Sequence, residues 1–109
     1  MSDKDKRISA LEFIARCKTA KDMCIGPVEG LDNGISLITT LQDGGFTVQL
    51  EDNAEEPTHA MTLFAKPKWR MYASEQQFNL TAETMITLMN LRPTSFGLGD
   101  DHSFVLSWD

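Results

Sequence analysis

Reactive side chains are scarce in this 109-residue chain: two cysteines, two histidines and no CxxC or HxxxH spacing among them. The absence of a ligand pattern speaks against a structural zinc site, which needs four such donors brought together. Long apolar runs are missing too, and nothing approaches the roughly 18 residues of a membrane span. The start, Met1-Ser2-Asp3-Lys4-Asp5-Lys6-Arg7, is charged and leads into no apolar stretch with a cleavage site, so it does not read as a secretory signal. Two cysteines are too few for a disulfide framework and suit a reducing compartment. These absences together lead us to expect an intracellular, cytoplasmic protein without a membrane partner.

What is present is ordinary for a globular chain, 41% apolar and 24% charged residues, enough for one modest core and one domain over 1–109. Residues 1–7 read as a flexible charged lead. The net charge of −6 is unevenly spread, because residues 22–65 hold eight acids and no Lys or Arg. A segment of one sign steers partners of the other.

The first element is signalled most clearly. Ser9-Ala10-Leu11-Glu12 matches a capping box, with Ile8 and Phe13 placed as a hydrophobic staple. Ala10, Phe13, Ile14, Cys17 and Cys24 share a face that Leu11 and Ala15 broaden, and Gly26-Pro27 supplies a stop. The pattern predicts a helix over 10–24, on which the two thiols stand about 10 Å apart, too far for a disulfide. Residues 35–41 and 46–51 flank Gln42-Asp43-Gly44-Gly45 and predict a hairpin, with Leu37, Leu41, Phe46, Val48 and Leu50 on one face. Further strands are expected at 58–65, apolar on both faces and therefore central, and at 69–73. Residues 74–80 are open between loop and helix, since Ser74-Glu75-Gln76-Gln77 also matches a capping box. A second helix runs from Thr81 to Arg92-Pro93 through Ala82, Met85, Leu88, Met89 and Leu91. Residues 94–101 read as a loop and 102–109 as an alternating strand. The expected fold class is α+β, in the order α-β-β-β-β-α-β, an antiparallel meander with helices packed on one face.

Motifs that carry chemistry are few. Gly97-Leu98-Gly99-Asp100 precedes a strand instead of opening a helix, so it is a turn and not a phosphate loop. Cys24 at a helix C-terminus would sit at the wrong end of the dipole for an activated thiol. No catalytic residue, metal ligand or cofactor is assigned. Lys66-Pro67-Lys68-Trp69-Arg70-Met71-Tyr72 interleaves basic and aromatic residues, and Lys66, Lys68, Arg70 and Tyr72 are the candidates for contacting a nucleic acid, against an unfavourable overall charge. The leading expectation is a non-enzymatic protein of inhibitor, immunity or accessory-factor type. It would bind a basic surface of another macromolecule through Asp43, Glu51, Asp52, Glu55 and Glu56. The alternative is a small-ligand or nucleic-acid binding module built on 66–72.

Overall fold

In the computed structural model, which describes residues 6–68, 75–99 and 101–108, a short strand β1 (Arg7–Ser9) runs directly into helix α1 (Ala10–Ala20). The Ser9 hydroxyl accepts the Glu12 N–H at 3.1 Å, capping the helix as its sequence signals. Ala10, Phe13 and Cys17 are buried, whereas Leu11 and Ala15 point to solvent, Leu11 at 80% exposure. The helix stops earlier than the expected 24. Lys21 takes a left-handed conformation, φ 58, and its N–H closes on the carbonyls of Cys17 and Lys18, a C-terminal device normally given to glycine. Cys24 therefore lies on β2 (Cys24–Ile25) and not on the helix. Both cysteines are free, although the helical-separation argument for that no longer applies. Gly26-Pro27 turns β2 into β3 (Val28–Glu29) in an antiparallel pair, Ile25 opposite Val28.

The largest correction falls on residues 35–41. They belong to helix α2 (Leu31–Asp43), not to the first strand of a hairpin. Its buried residues are Gly34, Leu37, Ile38 and Leu41, a helical stripe that the apparent alternation concealed. Asp43-Gly44-Gly45 is accordingly a helix terminus, with Gly44 N–H bonded to Thr40 at 2.9 Å and Gly45 N–H to Gln42 at 3.1 Å. Gly45, at φ 95, then turns the chain into β4 (Phe46–Glu51). That strand matches its expected span, with Phe46, Val48 and Leu50 inward.

The expected strand at 58–65 is divided between two sheets, β5 (His59–Ala60) and β6 (Thr62–Pro67). β6 is the middle strand of a five-stranded antiparallel sheet ordered β1-β4-β6-β8-β7, where β7 is Ser95–Leu98 and β8 is Phe104–Ser107. β5 pairs in parallel with β2, giving a second, small sheet ordered β3-β2-β5. The expected strand at 69–73 lies outside the described residues. Helix α3 (Glu75–Met89) begins six residues before Thr81, taking in most of 74–80. Thr84 and Leu88 are its buried side chains among those described, while Ala82 and Met89 are exposed. The segment 94–101, expected as a loop, supplies the edge strand β7.

The fold is thus α+β with an antiparallel main sheet. One buried cluster joins Phe13, Cys17, Ile38, Leu41 and Leu88 from the helices to Phe46, Leu50, Leu63 and Leu106 from that sheet. On the opposite face of the sheet Phe64 is 5% exposed. The Arg7 guanidinium sits 4.1 Å from its ring centroid and pairs with Asp101 at 2.9 Å, so the cation covers this apolar ring while keeping its counterion.

Candidate functional site

The small sheet assembles residues that are distant in sequence. Cys24 stands in register between Glu29 on β3 and His59 on β5, and directly opposed residues project to the same face of a sheet. His59 faces two carboxylates, its Nε2 lying 3.3 Å from Asp22 Oδ2 and its Nδ1 3.5 Å from Glu56 Oε2. A neutral imidazole has a single N–H and donates to one of them at a time; only the protonated ring serves both. Asp22 Oδ2 also accepts the Thr58 hydroxyl at 2.8 Å. That bond, against a smaller opposing contribution from desolvation, and the His59 ring hold the Asp22 carboxyl below its ordinary range.

The loop after β4 is shaped locally. Asn53 Oδ1 accepts the N–H groups of Glu55 at 3.0 Å and Glu56 at 3.2 Å, an Asx turn that leaves both glutamates exposed. Arg16 crosses from α1 to bind Asp52 at 3.0 Å and the Pro57 carbonyl at 3.5 Å. Glu51 Oε1 accepts the Met61 N–H at 3.3 Å.

The five expected acids therefore differ in their surroundings. Glu55 and Glu56 are exposed beside the small sheet, Asp52 is neutralised by Arg16, and Glu51 is engaged with backbone. Asp43 lies at the C-terminal end of α2, in an open cleft of about 310 Å³ shared with Glu83, Thr40, Thr84 and Thr87. Asp22, Glu29 and His59 were missed by sequence reading. Their meeting depends on two-residue strands, one of them assigned to a helix, and no spacing in the chain reveals that register. Of the alternative set, Lys66 and Lys68 are exposed, while Arg70 and Tyr72 lie outside the described residues, as do Trp69 and Met71.

The thiols are poorly suited to nucleophilic work. Burial, then the field of Glu29, Asp22 and Glu56, pushes the Cys24 thiol up. Burial also carries Cys17 to about 11, with Asp22 adding to the rise and Arg16 opposing it. Both are protonated at neutral pH, and the thiolate is the reactive form. Among the described residues no three His, Cys, Asp or Glu side chains converge as metal ligands would, and no helix is long and apolar enough to cross a membrane. Compared with known proteins, the chain matches no family model, no curated protein and no solved structure.

Proposed function

We propose that the chain acts without catalysis, docking on a basic surface of another macromolecule as an inhibitor, immunity-type or accessory factor. The observation that carries this reading is the meeting of carboxylates from separate segments, with Asp22 and Glu56 both at the His59 ring and Glu29 in register with Cys24 on the neighbouring strand. All three carboxylates are exposed, and Glu55 stands next to Glu56. Exposed carboxylates held close together by backbone register and short loops form a preorganised acidic surface, which raises association rates with cations more than it raises stability.

The test uses a fluorescent arginine-rich peptide as the basic probe. At low ionic strength the protein binds it, and binding falls steeply as salt rises. Reversing Glu29, Glu55 and Glu56 to Lys weakens it by about tenfold or more. Asp43→Lys, on the separate cleft, has little effect. Equal loss from Asp43→Lys, or binding indifferent to salt, overturns the assignment of the surface.

A further inference from the structure

Strand β7 reads Ser95-Phe96-Gly97-Leu98, and all four residues are exposed, Phe96 at 41% and Leu98 at 63%. Among the described residues it is hydrogen-bonded only to β8. Gly99 donates its N–H to the Ser103 carbonyl at 2.8 Å. Because peptide groups alternate along an antiparallel strand, this parity turns those of Gly97 toward Val105 and those of Phe96 and Leu98 outward. The outer edge thus offers two N–H and two C=O groups, with none of the charges or prolines that usually block edge pairing within the strand.

We propose that β7 pairs antiparallel with β7 of a second copy of this chain, about a twofold axis through Gly97, joining the two main sheets into one. Three features favour a copy over another partner. The outward parity is self-complementary: with Gly97 on the axis, Phe96 of each chain forms a hydrogen-bonded pair with Leu98 of the other. The two side chains then meet on one face and extend the Phe96–Phe104 stack, whose centroids are 5.7 Å apart.

Gly97 is the second feature. Its φ is not positive, and a Cβ there would meet nothing within 4 Å. Nothing described in its own chain fills the space beside it, so two strands can meet at this position without displacing a side chain of either copy. The third is charge. Residues 93–99 carry none, Arg92 precedes them and Asp100-Asp101 follow. On a chain of net charge −6, such a neutral edge lets two copies meet without opposing like charges.

Sedimentation velocity across a wide concentration range tests the proposal. The expected result is a monomer–dimer equilibrium that Leu98→Lys weakens by at least about tenfold, with thermal melting unchanged at concentrations where the parent is monomeric. A crosslink fixes the register. In a Cys24→Ser background, Gly97→Cys forms a disulfide-linked dimer on oxidation, since facing non-hydrogen-bonded residues have Cα atoms about 4.5 Å apart, within disulfide range. Ser95→Cys does not, because its two copies lie more than about 13 Å apart along the strands. A monomer at every concentration, a Leu98→Lys variant that dimerises like the parent, or equal crosslinking at 95 and 97 overturns the proposal.

Discussion

Gly26 is held at φ 54, and the indole of Trp108 lies where a Cβ would project. The same indole donates its Nε1–H to the Leu91 carbonyl at 3.0 Å, so the ring has little freedom to retreat. Gly26→Ala combines a left-handed backbone penalty with a steric clash, and we expect it to cost about 2–4 kcal/mol, read by urea denaturation. Asp101 responds to pH instead. Desolvation works against its charge, but the Ser103 N–H and hydroxyl and the Arg7 guanidinium outweigh it and hold the carboxyl below its ordinary value. A lowered carboxyl stabilises the fold fully above the unfolded value of about 3.9, and that contribution is lost as pH falls through the folded value. Asp101→Asn should therefore remove part of the loss of stability below about pH 4. At neutral pH it should cost no more than about 1 kcal/mol, because the carboxylate is partly exposed. At this scale the sequence is legible where a side chain acts on its own neighbourhood. The Ser9 cap was readable for that reason, and the Asp22–His59–Glu56 contacts were not, because they join positions set by strand register.

Helix α2 shows why elements are harder to read than caps. Ile35, Ile38, Thr39 and Thr40 favour strands by their branching, and Leu37 and Leu41 share a face at either a two-residue or a 3.6-residue period. Ile38 separates the two readings. An alternating strand sends it to the polar side, yet it is fully buried with Leu37 and Leu41, while Thr39 and Thr40 are exposed. Tertiary burial of the stripe overrides local preference. Proline at position 39 would remove a backbone hydrogen bond inside this helix. Thr39→Pro should cost about 3 kcal/mol or more, with a loss of helical circular dichroism that the expected hairpin would not produce. β4 was legible throughout because its six residues alternate strictly at one period. β7 was hidden by its two glycines, which mark turns in most contexts.

For the molecule as a whole, the α+β class and the antiparallel sheet followed from composition, short connections and alternating segments. The acidity was visible as a number, but its distribution was not. Of the eight acids in one stretch of sequence, four stand at or beside the small sheet, Asp52 pairs with Arg16, Asp43 lines a separate cleft and Glu51 holds a backbone N–H. This division matters for binding, since only carboxylates that share a surface and lack a cation of their own add to one electrostatic field.

The strand order has a further consequence for how the molecule is made. β8 lies between β6 and β7, so β7 waits, already synthesised, for residues 104–107 before it has a place in the sheet. The Trp108 N–H then bonds to the Met61 carbonyl at 2.9 Å, beside the ring contact at Gly26. A nascent chain that has not yet released residues 104–107 thus holds β6 with one neighbour and β7 with none. Emergence of β8 therefore closes two strand edges at once, the open side of β6 and the inner side of β7.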